Sequence, residues 1–81
     1  MRVRALFFAV YRDLAGTDEL ALELPAGARL SDLLQRVRSE REGLDALPRE
    51  PVMAVNLAYA PPSTPLNDGD EVAFIPPVAG G

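Results

Sequence analysis

The sequence ends in Pro76-Pro77-Val78-Ala79-Gly80-Gly81, and its last main-chain carboxylate stands out because the side chains offer so little chemistry of their own. The 81 residues contain no His, no Cys and no Lys. That inventory excludes an imidazole base, a thiolate nucleophile, a Cys/His zinc site and a disulfide framework. It also excludes a Schiff-base amine and a P-loop lysine. Ser31, Ser39 and Ser63 have no base to activate them. Asp68-Gly69-Asp70-Glu71 places three carboxylates in four residues, which could suggest Ca²⁺ or Mg²⁺. The longer ladder of oxygen ligands that a calcium loop needs is missing, turn chemistry accounts for the run, and no metal site is expected.

What remains is the chain terminus. Pro76 and Pro77 cannot donate to a sheet ladder, and their fixed φ angles stiffen the stem that leaves the domain. A frayed end is one reading of Val78 to Gly81. The other is a tail built for insertion. A rigid stem leaves less conformational entropy to lose on binding, and Gly80 and Gly81, without Cβ atoms, make the slimmest peptide for a narrow channel. On the second reading the reacting atom belongs to Gly81, with Gly80 behind it.

The rest of the chain must position that tail. Apolar residues make up 48% and charged residues 25%, a composition that folds. A chain this small buries about 62% of its surface, enough for one modest core. The expectation is one domain over residues 1–75 and an extended tail over 76–81. The longest apolar run, Ala5 to Tyr11, is too short to span a bilayer, and the N-terminus lacks signal-peptide features, so a cytoplasmic, membrane-free protein is expected. The formal net charge of −4 argues against nucleic acid as a partner. All eight arginines and nine of the twelve carboxylates lie within residues 1–50, whereas Pro51 to Gly81 holds Asp68, Asp70 and Glu71 and no base. These acids stand close to the tail in sequence, so a partner receiving it is expected to present a basic pocket.

Periodicity assigns the elements. Val3, Ala5 and Phe7 alternate with Arg2, Arg4, Leu6 and Phe8 in a first strand. Val10 and Leu14 suggest a short helical turn or loop stopped by Gly16. Leu20, Leu22 and Leu24 mark a second strand over Glu19 to Leu24, able to pair antiparallel with the first. Leu30, Leu33, Leu34 and Val37 form the apolar stripe of the main helix, which Gly43 should end. Arg36–Glu40 and Arg38–Glu42 are expected as surface pairs on it. Val52 to Leu57 is apolar on both faces and reads as a strand inside the sheet, Tyr59 to Thr64 as irregular, and Glu71 to Ile75 as the last strand. The fold class is α+β: one sheet with one helix packed across it. By parity Phe8 and Ile75 face outward, with Tyr59 beside prolines. They read either as a contact patch or as ordinary exposed surface.

The stretches Leu6-Phe7-Phe8-Ala9, Tyr11-Arg12-Asp13-Leu14-Ala15-Gly16, Val55-Asn56 and Pro65 to Gly81 resemble the ubiquitin-like sulfur carriers of the β-grasp fold, in particular the small, sulfur-carrying subunits of molybdopterin synthase. The resemblance covers nearly the whole chain, though residues 20–50 match only in general pattern. It implies a mixed sheet of four to five strands with one main helix. It implies no permanently bound cofactor. An adenylyltransferase related to ubiquitin-activating enzymes would use ATP to adenylate Gly81. A sulfur donor protein would convert the adenylate to a thiocarboxylate, 1-thioglycine. The tail would then enter the large synthase subunit, in a heterotetramer, and give sulfur to cyclic pyranopterin monophosphate. Phe8, Tyr59, Ile75, Pro76, Pro77, Val78 and Ala79 would meet the partners, which supply the catalytic side chains. A sulfur carrier for thiamine or tRNA thiolation, a protein modifier or a non-catalytic ubiquitin-like interaction domain would share much of the pattern.

Overall fold

The computed structural model describes residues 1–77, so Val78, Ala79, Gly80 and Gly81 lie outside the described residues. Strand β1 (Arg2–Phe7) buries Val3, Ala5 and Phe7 on one face, following its period-2 pattern. Strand β2 (Glu19–Glu23) pairs with it antiparallel, Leu22 opposite Val3 and Leu20 opposite Ala5. Between them helix α1 (Ala9–Ala15) ends at Gly16, whose left-handed φ of 72° turns the chain back. Tyr11 and Ala15 are buried on this helix, while Val10 is exposed and Leu14 half-buried. Residues 10/14 and 11/15 share the same four-residue spacing, so periodicity alone leaves the buried face undetermined.

Helix α2 (Leu30–Glu40) fully buries Leu30, Leu33 and Val37, and the Asp32 carboxylate secures its first turn by accepting the Arg29 N–H at 2.8 Å. Arg36 and Glu40 pair at 2.8 Å across one turn. The expected Arg38–Glu42 pair does not form. The helix stops at Glu40, Arg41 is extended, and Glu42 opens a separate 3₁₀ helix (Glu42–Ala46). Arg38 instead donates to the Leu47 and Pro48 carbonyls at 3.1 and 2.6 Å, tying α2 to the connecting segment. Gly43 lies inside the 3₁₀ helix and does not terminate α2.

Strand β3 (Val52–Val55) is shorter than its apolar run. Asn56 and Leu57, with φ of 48° and 72°, form the two-residue turn of a hairpin with β4 (Ala58–Tyr59), so Tyr59 is in a strand and Leu57 is not. Strand β5 (Glu71–Ile75) completes a five-stranded sheet of order β2-β1-β5-β3-β4, in which β1 and β5 are parallel and the other pairs antiparallel. Strand β3 lies inside the sheet, as its two apolar faces imply. At the centre Phe7 and Phe74 face each other across the parallel pair, ring centroids 5.3 Å apart, and the buried residues of α2 join the same core cluster. A mixed five-stranded sheet gripping one main helix is the β-grasp fold. Among the described residues no helix is long and apolar enough to cross a membrane.

Candidate functional site

The candidate site is the place where the chain leaves the sheet. Val72 and Phe74 of β5 point into the core; Glu71, Ala73 and Ile75 alternate onto the opposite, helix-free face. Pairing stops after Ile75, because Pro76 has no N–H to continue the ladder. Pro76 is half-buried and Pro77 exposed.

Register decides what surrounds this root. Ile75 pairs with Val52, and Ala54 pairs with both Ala73 and Tyr59, which places Val52, Tyr59 and Ile75 on one face. A groove of about 400 Å³ forms there, lined by Tyr11, Pro48, Glu50, Pro51, Val52, Tyr59, Ile75, Pro76 and Pro77. A second depression of about 410 Å³ shares Glu50, Pro51, Val52 and Tyr59 and extends the surface to Ala60, Pro61 and Pro62. Tyr59 is 77% exposed and Val52 52%. Glu50 is the one charged side chain of both linings.

The structure thus brings Tyr59, Ile75, Pro76 and Pro77 together. Phe8 is exposed as expected, but it is the extended residue before α1 and lines a separate depression with Leu6, Phe7, Arg12, Asp18 and Glu19. Sequence reasoning missed Tyr11, Pro48, Glu50, Pro51 and Val52 as neighbours of the root. Val52 has a signal in its parity, being offset from the core residue Met53. Tyr11 comes from α1, and Pro48, Glu50 and Pro51 from the connecting stretch that leads into β3; none of these has one.

The acids of the C-terminal third do not adjoin the root of the tail. Asp68, Asp70 and Glu71 stand at the other end of β5, about 13 Å away at strand rise. There Asp68 accepts the Arg2 N–H at 2.7 Å, and Glu71 forms an ion pair with Arg4. Asp70 is buried and accepts the Asn67 N–H at 2.8 Å and the Asn56 side-chain N–H at 2.9 Å. Turn chemistry uses Asp68 and Asp70, and Glu71 is held by Arg4, so the acid beside the root is Glu50. What the root offers a partner is apolar surface with one carboxylate at its edge, beside a stem stiffened by two prolines. Such an arrangement can dock and present a main-chain group; it holds no acid–base pair of its own.

Comparison with known proteins places this geometry. The sequence profile of the ThiS family matches residues 5–81. The molybdopterin synthase sulfur carrier subunit of Chlamydomonas reinhardtii is 41% identical over 83 residues, covering 100% of both chains. A Pyrococcus furiosus structure assigned as molybdopterin converting factor, subunit 1, is 36% identical and superposes with a TM-score of 0.86 over 96% of this chain and 99% of that one. A protein–protein complex of subunits 1 and 2 of molybdopterin-converting factor from Helicobacter pylori contains a chain 28% identical, with a TM-score of 0.73 and 100% coverage of both chains. With a family match across nearly its whole length and relatives that align from end to end, the chain belongs to the ThiS family, alongside the molybdopterin synthase sulfur carrier subunits.

Proposed function

We propose that this chain is the sulfur carrier subunit of a molybdopterin synthase and that its chemistry takes place on the Gly81 carboxylate. One carboxylate oxygen attacks the α-phosphorus of ATP in an activating adenylyltransferase, and pyrophosphate leaves. Sulfide-level sulfur released by a donor protein then attacks the acyl carbon, the acyl–phosphate bond breaks, AMP leaves and a thiocarboxylate remains. The tail delivers that soft nucleophile into the large subunit, where two loaded carriers in turn each give one sulfur to cyclic pyranopterin monophosphate to make the dithiolene of molybdopterin, and water returns each Gly81 to the carboxylate. A free carboxylate is a poor electrophile, which is why a leaving group must be attached first. Holding the thiocarboxylate in a pocket confers the advantage of an intramolecular reaction.

The observation that carries the reading is the end-to-end match to sulfur carrier subunits in a chain without His, Cys or Lys. The Helicobacter pylori complex supports a second, larger subunit as the docking partner. The apolar groove at the tail root supports the same partner, since it supplies contact surface and no reactive group. Bases, nucleotide and sulfur all come from the partners in this scheme, and no cofactor resides on the carrier.

Intact mass spectrometry after incubation with ATP, a sulfur donor and the activating enzyme tests this directly. A gain of about 16 Da, sulfur for oxygen, is expected on Gly81, and deletion of Gly81 abolishes it. A label on a side chain, or loading that survives the deletion, would refute the assignment. A carrier for thiamine or tRNA thiolation would load in the same way yet fail to support dithiolene formation with the large subunit. A simple interaction domain would not load.

A further inference from the structure

The hairpin turn between β3 and β4 presents a side chain that folding does not use. Leu57 is 96% exposed and has a φ of 72°, in the left-handed region where a Cβ is crowded and glycine is the easy choice. Two-residue turns with both φ angles positive favour Asn-Gly; here Asn56 fits the pattern and Leu57 departs from it. An exposed leucine alone is ordinary surface. A bulky apolar residue that is both exposed and held in strained backbone contributes nothing to the core and works against the turn. Nor is the turn loose. The Asn56 N–H donates to the Glu71 carbonyl at 2.8 Å, the Glu71 N–H donates to the Asn56 side-chain oxygen at 3.0 Å, and the Asn56 side-chain N–H donates to Asp70 at 2.9 Å.

We infer that Leu57 is an anchor that fills an apolar, cation-rimmed pocket on the large subunit, at the end of the interface opposite the tail. The inference rests on the reading that the large subunit receives the tail. Two observations select this occupant. First, Leu57 stands two residues from Tyr59 in the same hairpin, and Tyr59 lines the groove at the tail root, so a protein seated there lies against the hairpin that carries Leu57. Second, the Leu57 end is acidic. Glu23, Asp68, Asp70 and Glu71 stand at that end of the sheet against Arg2, Arg4 and the amino terminus, which leaves a net negative end that suits Arg or Lys around the receiving pocket. A second copy of a chain of net charge −4 is a poor match for that end.

The test measures binding of the full chain to the purified large subunit by titration calorimetry, together with thermal midpoints. Leu57→Gly relieves the backbone and removes the anchor, so the midpoint rises by about 4 °C while affinity falls about tenfold. Leu57→Asn, which tolerates the same φ without glycine's flexibility, weakens binding to a similar degree and separates loss of the side chain from a loosened turn. Unchanged affinity in both variants overturns the anchor. A concentration-dependent dimer that Leu57→Asn abolishes assigns the site to a second copy and overturns it as well. Failure of the parent chain itself to bind the large subunit instead defeats the carrier reading on which the anchor rests.

Discussion

Asp70 is the residue on which the turn before β5 depends. It is 8% exposed, and its two carboxylate oxygens accept one N–H each, from Asn67 and from the Asn56 side chain. Asn56 in turn accepts the Glu71 N–H, so a loop, a hairpin and a strand share one polar cluster. In Asp70→Asn one of the two oxygens becomes an NH₂ that faces a donor, leaving a buried pair unmade. The expected loss is about 2 kcal/mol, or a fall in thermal midpoint of about 10 °C for a domain this size. Scanning calorimetry of the variant checks it; an unchanged midpoint would show that the cluster carries no stability. The sequence made the local half of this cluster legible, because Asn67-Asp68-Gly69-Asp70 is recognisable turn chemistry. The bond from Asn56 crosses fourteen residues and was not legible, since nothing in local spacing links the two positions. The same limit applies to the site. Gly81 stands out by elimination of other chemistry, whereas Tyr11, Pro48 and Glu50 reach the tail root only through tertiary packing.

Elements declare themselves when their period is sustained. β1, β2, β5 and α2 each turn the alternate or three-to-four-spaced residues that pattern assigns toward the core, with Leu20 and Leu34 only half-buried at its edge, because each presents one face to the core. β4 is two residues long and offers no period to read. Gly43 was misleading for a different reason. A glycine after an amphipathic stripe reads as a helix stop, but this one has a packing role: the 3₁₀ helix lies against α1 so closely that a Cβ at Gly43 would overlap the Leu14 main-chain carbonyl. Both groups are backbone, so neither can swing aside as a flexible side chain would. Gly43→Ala is therefore expected to force the 3₁₀ helix away from α1, at a cost of about 2–3 kcal/mol. Denaturant titration measures that loss, and hydrogen exchange should show it concentrated in residues 42–46 and the end of α1. A loss below about 0.5 kcal/mol, the usual range for a surface change, would contradict the close approach.

At the scale of the molecule, the proposed function gives the two faces of one sheet separate tasks, and topology makes the separation possible. The central β1–β5 parallel pair puts Phe7 against Phe74 beneath α2, and the same β5 carries Ile75 and the tail stem out on the other side. Strand order β2-β1-β5-β3-β4 cannot be read from periodicity, which assigns faces but not neighbours; the family resemblance implied a mixed sheet of four to five strands and no order within it. Once the order is fixed, the consequence for function is testable by comparing one residue from each face. Phe74 is wholly buried, and Phe74→Ala should remove about 3–5 kcal/mol, a large share of the 5–15 kcal/mol that holds a domain of this kind together. Its binding to the large subunit would weaken only because less folded protein is present, and would recover as stabilising osmolyte is added. Tyr59 is 77% exposed on the short edge strand, so Tyr59→Asp should cost no more than about 1 kcal/mol of stability. It places a charge in the apolar groove beside the tail root, however, and affinity should fall about tenfold or more with no recovery in osmolyte. The pair of responses is what distinguishes a contact face from a structural one. If Tyr59→Asp binds as the parent does, the partner does not lie on the helix-free face, and the groove at the tail root is ordinary surface.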